Sequence, residues 1–522
     1  MSLQSTVYFA GWGGDSLGWE QVPGIELRLA ANHNPVAVAV HELNFPEAEH
    51  LPPGDVKDIV LEDLPSTELF WASPACPAWT DAAGVKRYFD QSNQYTMFDE
   101  ELGVVEDPAA ARSRALVEQI PRYLRAMAAR GRPVLAGAME NVIQCRRWDD
   151  WRRWVGEIEE IGYETRLIAL NSAHVLPRRC LPVPQSRDRL YLAYWWKGLG
   201  RQPDWDKWLR PKAWCSSCER VVDALQVWKR PGVDMGRYGV RSGQYVYRCP
   251  SKACGFALVE PVTTPAAAAI DWTLPPGAKI ADRDEPLADN TLERIRIGLE
   301  KFAGAPMLTP AGGTWRTEAT SLNAPMPART TRETDGLVVP PLVVQTSGRA
   351  ALTANSAGQP LPTQTCRREL AVAIPPFIAE LRGGGSKKSA RSITEPLATF
   401  AASGFHHGLV QPPEDVRHLL VPYYRTGRAH PVKEPMGTLT TRDRFGLLGA
   451  DREQLLAECT FRMLEPTEIR AGMAFPATFK ALGDKRTQAR GYGNAVTPAA
   501  SEVIGCALVE AITGEVIERT AA

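Results

Sequence analysis

Between residues 6 and 200 the chain alternates short apolar runs with longer mixed segments, and this rhythm constrains the fold more than any other feature. Strand-length runs separated by helix-length segments are the pattern of strand–helix–strand units stacked into a parallel sheet. The runs are Val7 to Ala10, Glu26 to Ala31, Leu69 to Ala72, Pro133 to Met139, Tyr163 to Leu170 and Leu190 to Trp196. In such sheets ligands collect at the carboxyl ends of the strands, so chemistry is expected in the residues just past each run.

Those residues are unusual. After the first run comes Phe9-Ala10-Gly11-Trp12-Gly13-Gly14, a turn in which glycine lets the backbone approach a ligand or simply reverse tightly. Asp55, in Gly54-Asp55-Val56, is a candidate carboxylate for a ribose or adenine, or a turn former. Ser73-Pro74-Ala75-Cys76-Pro77 sets a thiol between prolines just past a strand end, which suits a positioned nucleophile as well as a packed cysteine. Glu140 and Asn141 end the fourth run and offer a general acid and an amide. In Gln185-Ser186-Arg187-Asp188-Arg189 the alternation sends both arginines to one face, to hold phosphate or a base edge or to form a charged strand start.

Composition sets outer bounds. A chain of 522 residues has room for two or three domains, and 44% hydrophobic with 23% charged residues excludes collagen, coiled coil and wholesale disorder. Sixty basic residues balance sixty acidic ones, so any nucleic-acid surface must be local. No Lys or Arg precedes an apolar stretch at the N-terminus, and no apolar run approaches the about 18 residues that span a bilayer. The expectation is a soluble cytoplasmic protein without a membrane partner. Ten scattered cysteines then read as free thiols, a nucleophile or a metal site rather than a disulfide framework.

Two further patterns lie downstream. Cys215 and Cys218 pair with Cys249 and Cys254 across thirty intervening residues, a spacing that suits four thiolates around one structural zinc ion; unligated thiols are the plainer reading. Leu292, Ile295, Leu299 and Phe302 recur at helical spacing. From 325 to 448 a unit repeats: Pro325, Pro360, Pro396 and Pro435 open similar segments 35, 36 and 39 residues apart. Arg382 to Arg391 adds a Gly-rich basic loop suited to phosphate, or to a solvated linker.

Taken in order, FAGWGG, Gly-Asp-Val, Ser-Pro-Ala-Cys-Pro, Glu-Asn-Val, Pro-Gln-Ser-Arg-Asp-Arg and Arg490-Gly-Tyr-Gly-Asn494-Ala-Val resemble the ordered motifs of the DNA cytosine carbon-5 methyltransferases, bacterial or phage type. The resemblance implies that Phe9, Ala10, Gly11, Gly13, Gly14 and Asp55 line the site of the cofactor, S-adenosyl-L-methionine, with Asn494 returning the chain end to that pocket. It makes Cys76 the nucleophile, Glu140 the contact to the cytosine ring nitrogen, Asn141 a brace for the catalytic loop, and Arg187 and Arg189 the pair beside the flipped base. The segment from His430 resembles the family's penultimate motif. Two positions depart from the family. Ala75 replaces a proline before the nucleophile, and Ala31-Asn32-His33-Asn34 lacks the usual acidic residue, which leaves His33 or Asn34 to bond the ribose.

The expected architecture is α/β: a doubly wound, Rossmann-like methyltransferase core (1–200, completed by 451–522), a zinc-ribbon-like insertion (201–285) and a repeat-built target recognition region (286–450). The expected activity is methylation of cytosine in double-stranded DNA by a monomer. Transfer of a modified group from a variant cofactor, or DNA binding without catalysis, are the alternatives. A restriction partner, evasion of host restriction and regulation all remain compatible settings.

Overall fold

The computed structural model describes residues 2–74, 115–269 and 460–519 continuously, most of 271–287, and a series of strands between 307 and 448. Seven strands form the central sheet: β1 (Leu3–Tyr8), β2 (Ile25–Ala31), β3 (Glu49–His50), β4 (Leu69–Ala72), β5 (Ala136–Asn141), β6 (Tyr163–Asn171) and, after the short β7 (Gln185–Ser186), β8 (Asp188–Trp196). Their order is β3-β2-β1-β4-β5-β8-β6. Every apolar run read from the sequence is a strand here, with ends shifted by a few residues. All residues of β4 and β5 are buried, as expected of strands covered on both faces.

The sheet is not parallel throughout, which corrects the expectation. β8 runs antiparallel to both β5 and β6. The connection from β6 to β8, residues 172–187, contains only a 3-10 turn and the two-residue β7, so no α-helix carries the chain back over the sheet. A strand joined without a crossover must return antiparallel.

Helices cover both faces. On one side α3 (Gln119–Ala129) and α4 (Trp151–Ile161) bury Ile120, Tyr123, Leu124, Met127, Trp154 and Ile158. On the other, α1 (Gly14–Glu20) packs against the last helix; α2 (Pro35–Asn44) lies beyond β2. Further helices are α5 (Trp205–Leu209), α6 (Pro466–Gly472), α7 (Lys485–Asn494) and α8 (Pro498–Thr513). Proline at the first position of α8 needs no backbone N–H there, and Gly514 ends the helix at φ 74°. Within α8 only Glu510 and Thr513 escape burial. The stretch Lys485–Thr513 is long and apolar enough to cross a membrane, yet 94% of its apolar window is buried inside the protein, so it reads as a core helix.

The contact of α1 with α8 is made at glycines. A β-carbon at Gly14 would stand 1.9 Å from the Val496 carbonyl oxygen; one at Gly18 would stand 2.0 Å from Ser501 Oγ and 2.2 Å from the Pro498 carbonyl oxygen. Glu502 of α8, fully buried, accepts the backbone N–H groups of Arg178, Arg179 and Cys180 at 3.0, 2.6 and 3.0 Å. These bonds fasten the segment leading into β7 and β8 to the C-terminal helix.

Trp205 and Trp208 belong to the same core as α8, and the next sheet begins at Lys212. It comprises β9 (Lys212–Cys215), β10 (Arg220–Asp223), β11 (Leu225–Trp228), β12 (Tyr245–Arg248) and β13 (Leu258–Pro261), ordered β10-β9-β13-β12-β11.

Beyond it one three-strand arrangement recurs. Strands 307–311, 342–345, 377–380 and 419–422 each pair antiparallel with a short strand on one side and a longer one on the other. The register is the same each time: the first residue of the central strand faces the last residue of the short strand (Met307 and Ser321, Leu342 and Ser356, Phe377 and Ser392, Leu419 and Pro431). The repeated prolines 325, 360, 396 and 435 each stand four residues after that short strand. The third unit alone reaches the core among the described residues: Leu397–Ala398 pairs with β7, and Leu397 is fully buried. The helix expected over 290–302 and the basic loop 382–389 lie outside the described residues.

Because backbone atoms form one wall of the α1–α8 contact, Gly18→Ala cannot be absorbed by a rotamer change. It should lower unfolding stability by about 1–3 kcal/mol, read as a reduced urea midpoint by tryptophan fluorescence.

Candidate active site

The carboxyl ends of β1, β4, β5 and the start of β8 meet on one edge of the sheet. After β1, Phe9 takes the left-handed conformation (φ 59°), followed by Gly11 (φ 53°) and Gly13 (φ 75°). An aromatic residue is uncommon there and is held by its surroundings: Ala10 N–H donates to the Ala31 carbonyl at 3.1 Å and Gly13 N–H to the Ala10 carbonyl at 2.8 Å. A β-carbon at Gly11 would meet only the Phe9 carbonyl oxygen, at 3.7 Å, so the backbone on that side faces open space. The turn fits a cofactor that approaches main chain closely. Gly14, by contrast, is closed off by the Val496 backbone and the Phe475 ring.

At the end of β2, Asn32 Oδ1 accepts the Asn34 N–H at 2.9 Å, and Asn34 Oδ1 caps α2 by accepting from Val36 and Ala37. Both side-chain oxygens are thus committed locally, and His33 beside them is exposed. Asp55 caps the 3-10 turn Val56–Asp58 through Lys57 N–H at 3.1 Å.

Cys76 lies outside the described residues, as does the loop 75–114. The approach to it is described. Ser73 N–H donates to the Tyr8 carbonyl at 3.2 Å, and the Asn141 amide donates to the Pro74 carbonyl at 3.2 Å, two residues before Cys76. Asn141 is itself 1% exposed and accepts the Val142 N–H at 2.8 Å.

Glu140, one residue earlier on β5, pairs with Arg189 of β8: Nε to Oε1 is 3.0 Å, with both side chains largely buried. The atoms are close enough for an ion pair but not aligned as a hydrogen bond, and Oε1 makes none. Arg187 is turned elsewhere. Its guanidinium donates to the Gly493 and Ala495 carbonyls at 3.1 and 3.0 Å, on either side of Asn494, and its residue is 2% exposed. Arg187 therefore braces the end of α7, while Arg189 stays with Glu140. Asn494, last residue of α7, is exposed. Gln185, fully buried, has an amide with no hydrogen-bond partner among the described residues.

Two groups escaped the sequence reading. Asp15, in the turn after the glycines, is 2% exposed, and burial, with Glu140 nearby adding to it, pushes its carboxyl up to about 7. Behind it runs a polar chain: Ser16 Oγ to His41 Nε2 at 2.9 Å, His41 Nδ1 to His50 Nε2 at 2.7 Å, His50 Nδ1 to the Ala48 carbonyl at 2.9 Å. The carbonyl can only accept, so His50 carries its proton on Nδ1, His41 donates from Nδ1, and Ser16 donates to His41 Nε2. Burial, with His50 beside it, pushes His41 down to about 3, which keeps the ring neutral as this chain requires.

The four cysteines converge. Their sulfur atoms all lie within 4.8 Å of one another; Cys215 to Cys254 is 4.0 Å and Cys218 to Cys249 is 3.9 Å. A disulfide would bring two sulfurs to about 2 Å, whereas four sulfurs at about 2.3 Å around one tetrahedral ion stand about 3.8 Å apart. The donor set and spacing fit a four-thiolate metal site.

The glycine turn and the Glu140–Arg189 pair thus stand at neighbouring strand ends of one sheet, and comparison with known proteins gives what the chain is similar to. Residues 6–107 match the family model for C-5 cytosine-specific DNA methylase. The type II methyltransferase M1.ScrFI of Lactococcus lactis subsp. cremoris is 24% identical over 187 residues, 35% of this chain and 39% of that protein. The match thus spans well under half of that relative. The chain is also similar to a solved Spodoptera frugiperda DNMT2 mutant (13% identity, 98% of this chain and 100% of that one, TM-score 0.46) and to the Entamoeba histolytica methyltransferase EhMeth (12%, 98% of each, TM-score 0.42). Over residues 6–107 the chain is thus similar to the C-5 cytosine-specific DNA methylases.

The folded state holds the Asp15 proton more tightly than the unfolded chain, so Asp15 costs stability progressively as pH rises from about 4 to about 7. The stability advantage of Asp15→Asn over the parent should widen over that interval and level off above it, measured by thermal unfolding at a series of pH values. Arg187→Ala, which strips the buried Gly493 and Ala495 carbonyls of their donors, should cost about 1–3 kcal/mol per orphaned group, read as a lowered urea midpoint.

Proposed function

We propose that this protein methylates carbon 5 of cytosine in double-stranded DNA, using S-adenosyl-L-methionine and Cys76 as nucleophile. The observation that carries the reading is the arrangement at the sheet edge: the Glu140–Arg189 pair at 3.0 Å, with Asn141 tethering the chain two residues before Cys76.

The chemistry asks for those groups. Cytosine carbon 5 is a weak nucleophile, and a thiolate adding at carbon 6 turns the ring into an enamine. Cys76 forms the sulfur–carbon bond with its own electron pair, while Glu140 hydrogen bonds or protonates the ring nitrogen where negative charge arrives. Arg189 holds the Glu140 carboxyl in place and is the arginine left to face the base. Bound S-adenosyl-L-methionine supplies the methyl group. Loss of the carbon-5 proton then returns its bonding pair to the ring and expels the Cys76 thiolate. A stacked base cannot reach these groups, so the cytosine is rotated out of the duplex at a cost of a few kcal/mol.

The glycine turn after β1, with Phe9, Asp55 and the exposed His33, is the cofactor's place in this reading. The repeated three-strand units, with Arg and Thr in their turns, are the target recognition region. Cys215, Cys218, Cys249 and Cys254 hold one structural zinc ion, with no position left open for catalysis.

Incubation with S-adenosyl-L-methionine and unmodified duplex DNA, followed by nucleoside mass spectrometry, should yield methylcytosine. Cys76→Ser should abolish it while cofactor binding persists; undiminished turnover in that variant would remove the assigned nucleophile.

A further inference from the structure

The inserted sheet grips the catalytic strand ends at several points. Tyr238 N–H donates to Asp188 Oδ1 at 3.3 Å, and the positive charge of Arg237 acts on the same carboxylate. The Tyr238 and Tyr247 rings stand edge-on to His174, with centroids 4.5 and 5.4 Å away. Gln226 Nε2 donates to the Ala169 carbonyl on β6 at 2.9 Å. Arg146, five residues after Asn141, forks onto Asp234 of the insertion at 3.0 and 2.7 Å.

Asp188 is the residue that matters here. It lies between Arg187 and Arg189, is 4% exposed, and begins β8. A carboxylate that deep is tolerated only while its partners stay in place. Asn171 and Arg189 on the core strands also face this carboxylate, but Tyr238 and Arg237 come from the insertion, whose own core is small: Ala213, Val222, Tyr245, Tyr247 and Val259, closed by Cys215 and Cys249. A core of that size relies on a staple, and the thiolate quartet is the one present.

We infer that metal held by Cys215, Cys218, Cys249 and Cys254 fixes the Tyr238–Asp188 contact and thereby positions Arg187 and Arg189 at the start of β8. The inference rests on the zinc reading and does not need the methyltransferase reading. β1 and β2 are separated from β8 by β4 and β5, so the cofactor turn should be insulated from the metal.

The test uses the full chain, metal-loaded and chelator-stripped, and reads backbone hydrogen exchange by mass spectrometry together with the visible spectrum of a cobalt-substituted sample. The expected results are a tetrahedral cobalt–thiolate spectrum and, on stripping, several-fold faster exchange over residues 186–192. Residues 3–8 and 25–31 should be unchanged, and zinc should restore protection. Asp188→Ala, which removes the acceptor, should show the same local increase with the cobalt spectrum intact, which separates loss of the contact from loss of the metal. Absence of both bound zinc and the thiolate spectrum would overturn the metal site itself. A bound metal whose removal leaves 186–192 unaltered would overturn the coupling alone, and so would an increase spread equally over β1 and β2, since that is general unfolding.

Discussion

The two ends of the described chain meet with almost nothing between them. At Gly14 and Gly18 the first helix has no side chain, and the backbone of residues 496–498 and the Ser501 hydroxyl occupy the space a β-carbon would need. Close packing at that contact holds α8 against the sheet, and α8 in turn holds the β6–β8 connection through Glu502. The glycine turn, the arginine segment and the C-terminal helix are therefore one mechanical unit, although hundreds of residues separate them in sequence.

Much of the core was legible because strands buried on both faces must be mostly apolar, and β4 and the Ala136–Met139 part of β5 are. The direction of β8 was not. It depends on what the chain omits between residues 172 and 187, and a strand's direction leaves no mark on its own composition. The cysteine quartet could be read from spacing, since paired thiols on short turns have few other uses. The role of Arg187 could not: alternation gave it a face, but its partners are carbonyls at 493 and 495, backbone atoms that carry no sequence signal. The His41–His50 chain was silent for the same reason, because two histidines nine residues apart have no characteristic spacing.

Electrostatics behind the glycine turn works by keeping charge out. His41 is held neutral by burial, and Asp15 is pushed towards its protonated form. The fixed direction of the Ser16–His41–His50 hydrogen bonds then makes the chain a rigid strut joining α1, α2 and β3. The Glu140–Arg189 ion pair stands apart from this neutral chain, at the ends of β5 and β8.

The common register of the four three-strand units has a consequence for how such a chain can change length. Among the described residues, the third alone is stitched to the core, through Leu397–Ala398 against β7. The others share its pattern, so length can change in whole units on either side of the anchored one without altering its pairing to β7. Fractional changes would shift the inward and outward faces of every strand downstream.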